Sequence, residues 1–168
     1  MNDIVNRQDN TSVMEVPSFK HCKELRLATT DWDLAMGRFH EAKNLVPGNY
    51  SSLEFAFQSA WRESRKNAID VGEAICKAKQ NVEEAKADII LDTIPKMLEE
   101  RKLSKTANNA DFRKAVMARD ENYQKSLEHL DKLEALLAHF ESHMKTMENT
   151  SRYLKKQMDY FIRSGVVG

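Results

Sequence analysis

Residues 112–161 read FRKAVMARDENYQKSLEHLDKLEALLAHFESHMKTMENTSRYLKKQMDYF, and the spacing of their apolar positions decides the fold class. One column of the repeat gives Val116, Tyr123, Leu130, Leu137, Met144, Ser151 and Met158, and its partner gives Phe112, Arg119, Ser126, Leu133, Phe140, Met147, Leu154 and Phe161. Residues seven apart share one helix face, so two adjacent columns make a seam for packing against other helices. At a rise of about 1.5 Å per residue, one helix over 112–163 is about 75 Å long, too long for compact globular packing. Ser164-Gly165 supplies the stop.

Toward the N-terminus a second long helix is predicted over about 52–94. Ser51-Ser52-Leu53-Glu54 forms a capping box, in which the serine takes an orphan N–H while the glutamate reaches back. Phe57, Trp61, Ser64, Ala68, Val71, Ile75, Ala78, Val82, Ala85 and Ile89 then alternate by fours and threes, and Pro95 ends the run. The alanines let a neighbouring helix approach closely, whereas Phe57 and Trp61 demand room. Residues 95–111 are polar and read as a connector, with Asn109 or Asp111 as the cap of the last helix.

Before Leu45-Val46-Pro47-Gly48-Asn49, a turn signal, the residues Phe19, Cys22, Leu25, Ala28, Trp32, Ala35, Met36, Phe39 and Ala42 recur at threes and fours. They predict a helix over about 17–45, either one kinked helix or two, because Thr30-Asp31-Trp32-Asp33 can also cap a start. Residues 1–16 are rich in Asn, Asp, Ser and Thr and read as a flexible arm. The expectation is an all-α chain with a single helical domain over 17–168, as an elongated antiparallel helical hairpin or a three-helix coiled-coil-like bundle. The first helix is too short to cover the other two, which makes a homo-oligomer the natural way to bury the remaining apolar surface.

Composition agrees with long helices: 31% of residues are charged and the 168 residues include only five glycines and three prolines. Lys plus Arg equals Asp plus Glu at 26 each, so no global field draws the chain to nucleic acid or to an acidic membrane. No segment reaches the apolar length of a membrane span, so a cytoplasmic protein is expected, in the host cytoplasm if viral, with no membrane partner. Cys22 and Cys76 lack metal spacing and read as reduced, small core residues. His139 and His143 lie four apart, but HFESH is not the zinc-peptidase HExxH, and both read as solvated rim histidines. No phosphate loop or catalytic constellation is present, so no cofactor, metal or enzymatic activity is expected.

The neutral total conceals alternating charge blocks along the long helices. With a connector near residue 103, an antiparallel pairing puts residue 61 opposite about 145. It gathers Arg62, Arg65, Lys66, Lys145, Arg152, Tyr153, Lys155 and Lys156 around Trp61 at one end, and Arg101, Lys102, Lys105, Arg113, Lys114 and Arg119 at the other. Cations with interleaved aromatics grip a single strand, neutralising phosphates while rings stack on bases. The same charges read equally as register-setting pairs with acidic blocks of neighbouring subunits, in a structural or adaptor coiled coil of scaffold, assembly or chaperone-like type that ignores nucleic acid.

Ala115-Val116-Met117-Ala118-Arg119-Asp120, Leu136-Leu137-Ala138-His139-Phe140, Ser151-Arg152-Tyr153 and Lys155-Lys156 resemble, in spacing and residue type, the closing helix of phage recombination mediators of the UvsY type. The resemblance covers about a third of the chain. It implies a ring-like homo-oligomer that binds single-stranded DNA and contacts a recombinase and a single-strand-binding protein during phage recombination, repair and replication. The family's basic, aromatic DNA-binding segment would fall between the long helices, where Glu83-Glu84-Ala85-Lys86-Ala87-Asp88 is acidic. The basic stretch from Arg101 to Arg119 is its nearest substitute by charge.

Overall fold

A computed structural model describes residues 12–41 and 47–165. The chain is mostly helical, with one small sheet. In chain order the elements are β1 (Val13–Val16), β2 (Leu25–Ala28), α1 (Thr30–Glu41), α2 (Pro47–Asp88), a π-turn (Ile89–Thr93), α3 (Ile94–Glu100), a 3-10 turn (Lys105–Ala107), α4 (Ala110–Met117) and α5 (Glu121–Arg163). They form two compact units, the first drawn from Met1–Val16, Leu25–Asp70 and Leu137–Gly168 and the second from Pro17–Glu24 and Val71–Leu136, in their described parts. No helix among the described residues is long and apolar enough to cross a membrane.

In the first unit Leu53, Ala56, Phe57 and Ala60 of α2 close a core with Met147 and Leu154 of α5 and Ala35 of α1. Phe57, fully buried, is the largest of these side chains. β1 and β2 pair antiparallel, Val16 with Leu25 and Met14 with Leu27. That face is the buried one, with Leu27 inaccessible, while Glu15 and Arg26 pair at 3.8 Å on the other. The N-terminus of α1 receives its cap from α2: the Glu63 carboxylate accepts from the N–H groups of Asp31 and Trp32, at 3.1 and 3.2 Å. Asn67 Nδ2 donates to the Ala28 carbonyl at 2.6 Å.

In the second unit the α2 seam continues through Val71, Ile75, Ala78, Val82 and Ala85, all buried. Ile89, Ile94 and Val116 form a further cluster with Met97, Leu98 and Phe112 against it. A tight hook closes between Phe19 and Cys22, whose N–H and C=O groups exchange bonds of 2.9 and 2.8 Å. Asn81, fully buried, donates to the Phe19 carbonyl at 3.5 Å and to the Cys22 sulfur at 3.6 Å.

Several predicted boundaries move, each for a physical reason. Residues 17–28 are not helical, because their threefold spacing comes from a hook followed by a strand, and within β2 it is Leu25 and Leu27 that face inward. The helix expected over 17–45 is therefore α1 alone from Thr30, with 42–46 outside the described residues. Val13–Val16, assigned to the N-terminal arm, is a strand, while 1–11 lie outside the described residues. α2 opens at Pro47, upstream of the Ser51–Glu54 box, since proline is pre-set for a first helical position. Pro95 does not end the run. Lacking an N–H for the Leu91 carbonyl, it is accommodated by a π-turn in which Ile94 N–H bonds back to Ile89, and helix resumes to Glu100.

The helix predicted over 112–163 is two. α4 is capped by Asn109, whose Oδ1 accepts from Phe112 N–H at 2.9 Å, and α5 by Asp120, whose Oδ1 accepts from Tyr123 N–H at 2.7 Å. Asp120 competes for that N–H and so breaks the chain where Arg119 would have continued the seam. Within α5 the seam holds: Ser126, Leu133, Phe140, Met147 and Leu154 are all buried. It ends at Arg163, with Gly165 in the left-handed region at φ 66.

Cys22 is buried and Cys76, read as a core residue, is exposed, because it lies outside the α2 seam. A thiol reagent is therefore expected to modify one cysteine of the native chain rapidly and the second only on unfolding, with Cys76→Ser abolishing the fast phase. Glu63→Ala removes both acceptors from the α1 N-terminus and is expected to lower stability by about 1–2 kcal/mol in urea denaturation.

Candidate nucleic-acid interface

In the first unit Phe57, Trp61 and Met147 floor a groove of about 490 Å³ whose rim carries Gln58, Arg62, Glu148, Ser151 and Arg152. The grouping of Trp61, Arg62 and Arg152 expected from antiparallel pairing is present, with the register displaced by about one turn: Trp61 Nε1 donates to Glu148 at 3.2 Å. Glu148 also pairs with Arg152 at 3.7 Å, one turn along α5. A carboxylate thus sits among the cations. The Trp61 ring is covered as well, since the Arg65 guanidinium lies 5.3 Å from its centre. Trp61 is a packing residue with a polar edge, not an open stacking platform.

Lys66 and Arg62 also border a second depression with Arg26, Asp31, Glu63, Asn67 and Asp70, where acids balance bases. Lys145, Lys155 and Lys156 are exposed on α5 with no ion-pair partner among the described residues. Tyr153 is 54% exposed, and Tyr160, which sequence reading passed over, is 67% exposed. Seven residues separate them, the same repeat that builds the seam, so the two rings share an outer face of the helix.

In the second unit Arg101 and Arg119 meet over Met97, Phe112 and Val116 in a depression of about 350 Å³. Asp120 lines it too. Lys102 borders a different depression with Pro95, Leu98 and Leu103, and occupies a left-handed position at φ 51 that closes α3 through bonds from Lys102 N–H to Glu99 and from Leu103 N–H to Leu98. Arg113 Nε donates to Asn108 at 2.8 Å, and Lys114 is exposed. The Lys105 side chain lies outside the described residues. Among the described cations of this group, Arg101 and Arg119 share one depression and Lys102 borders another.

Compared with known proteins, the chain matches no family model, no curated protein and no solved structure. The arrangement of its own side chains is what carries a functional reading.

Of the two histidines read as solvated, His139 is exposed and His143 is not. His143, expected to be solvated, lies face to face on Trp32 at 3.5 Å and 5°, with its Nδ1 buried and unpartnered among the described groups. Burial, followed by the neighbouring His139, pushes its pKa down to about 4 against a smaller opposing effect from Asp33. His129 in the second unit is pushed down in the same way, by burial and then Lys132, and its ring meets Phe19 at 5.0 Å. No group of three metal-ligating side chains occurs among the described residues.

A histidine whose folded pKa is depressed stays neutral in the native state while the unfolded chain takes up protons. Its contribution is full above about 6.5 and is lost as pH falls toward about 4. The thermal unfolding temperature should therefore fall more steeply as pH drops between those values in the parent chain than in His143→Phe, which keeps the stack and removes the titration.

Proposed function

We propose that the chain is a non-enzymatic accessory protein that binds single-stranded DNA as a homo-oligomer, serving recombination and repair beside a recombinase and a single-strand-binding protein. The observation that carries the reading is the run of exposed cations on the C-terminal half of α5, where Lys145, Lys155 and Lys156 have no carboxylate partner among the described residues. Uncompensated cations on a neutral protein favour a polyanionic partner through counterion release. Arg62 and Arg65 add charge in the same unit. The UvsY-type resemblance of the closing helix supplies the recombination context. Self-association would multiply a weak site into useful avidity without new contacts.

A helical adaptor or scaffold is the second reading. Phe55, Ile69 and Leu91 favour it, at 66%, 55% and 72% exposure, because large apolar side chains so placed suit packing against another helix.

Fluorescence anisotropy with a labelled single-stranded oligonucleotide separates the two. The first reading predicts binding at low salt that weakens steeply as salt rises. Lys155→Glu with Lys156→Glu is expected to lower affinity at least tenfold and flatten the salt dependence, by about 0.7 in logarithmic slope per cation lost, with the mass by light scattering unchanged. Absence of binding at micromolar protein would sink this reading, and a changed mass with no DNA effect would favour the adaptor.

A further inference from the structure

Tyr153, Lys156, Tyr160 and Arg163 follow one another at intervals of three, four and three along α5. That spacing puts them on a single helix face. The two rings are 54% and 67% exposed, and neither hydroxyl has a hydrogen-bond partner among the described residues. Lys156 and Arg163 are exposed between and beyond them, without an ion pair among the described residues. Tyr160 meets the Phe161 ring edge-on at 6.3 Å, and most of its surface and that of Tyr153 stands in solvent beside unpaired cations.

Two kinds of occupant could use such a face. A second copy, docked about a twofold axis, would set the stripe against itself and bring Lys156 and Arg163 toward like charges. Asp159 is the acid nearest the stripe along the helix, and its charge is felt by Tyr50 of α2. A single strand meets the same face with complementary charge. Seven residues of helix carry the rings about 10 Å apart, roughly three steps of a stacked strand at about 3.4 Å each. Lys156 lies between them, where the intervening phosphates would pass.

We propose that this stripe is a base-stacking track for single-stranded nucleic acid, with Tyr153 and Tyr160 taking base faces while Lys156 and Arg163 hold the backbone. The inference rests on the single-strand-binding reading above and moves the aromatic contact from Trp61, whose ring is covered by Arg65, to the outer face of α5. Cations alone would bind any polyanion of equal charge. The rings make binding depend on the presence of bases.

The full-length chain is titrated with a fluorescein-labelled oligothymidylate and with an abasic oligonucleotide of the same length and charge. The parent chain is expected to prefer the base-bearing strand by tenfold or more. Tyr153→Ala with Tyr160→Ala should erase that preference and keep the salt slope, since the cations remain, and Tyr153→Phe with Tyr160→Phe should restore it, because stacking needs the ring and not the hydroxyl. Equal affinity of the parent chain for both strands overturns the track while leaving a purely electrostatic single-strand binder. So does a double alanine variant that retains the preference, or one that lowers the mass by light scattering without changing DNA affinity, which assigns the face to a second copy. No binding of either strand by the parent chain overturns both the track and the function it rests on.

Discussion

An extended segment laid against a helix presents carbonyls that the helix backbone cannot satisfy, because its own N–H groups are committed to the turn below. The N-terminal strands and hook meet this constraint in both units, and α2 answers with an asparagine in each: Asn67 to the Ala28 carbonyl and Asn81 to that of Phe19. Two heptads separate the asparagines. They belong to a column, with Leu53, Ala60 and Ala74, that runs beside the seam and is buried along its length. α2 therefore buries a wider arc than a helix with one neighbour would, and Asn67 gives the Ala28 carbonyl its donor while Asn81 adds a second donor to a Phe19 carbonyl that already accepts from Cys22 N–H.

α5 contributes in the same rhythm. His129 receives Phe19 and His143 receives Trp32, again two heptads apart, so in each unit the N-terminal segment is held between an amide from one long helix and an imidazole from the other. Both imidazoles are kept neutral mainly by burial. The Glu63 carboxylate that caps α1 is also partly buried: desolvation raises its pKa, and the two N–H bonds it accepts draw it back. Asn67 and Asn81 thus join a long helix to the extended N-terminal segment through their side-chain amides.

The outer faces follow a different logic. Where bases and acids lie within reach they pair, as Lys79 does with Glu134 at 3.6 Å and Lys125 with Glu121 one turn away. Exposed pairs of this kind contribute little to stability. The C-terminal half of α5 differs in its aromatics, because Tyr153 and Tyr160 project outward beside cations that, like many others on the surface, have no ion pair among the described residues. This charged and aromatic surface is where the proposed function is sited.

How much was legible in the sequence depends on whether a feature was periodic. The seams of α2 and α5 could be read directly, because burial every seventh residue is a one-dimensional signal: Phe57, Ser64, Val71, Ala78 and Ala85 on one helix and Ser126, Leu133, Phe140, Met147 and Leu154 on the other are all buried. The mostly helical class follows from them. The strands did not announce themselves, since Phe19, Cys22, Leu25 and Ala28 satisfy a helical count by accident of a hook, and only pairing with Val13–Val16 makes that stretch extended. Tertiary structure likewise decided that Glu148 would sit beside Trp61 and Arg62, and that His143 would lie face to face on Trp32. Each of these depends on a residue distant in sequence arriving at a particular place. Local spacing determines which face of a helix turns inward, whereas what meets that face is decided by packing.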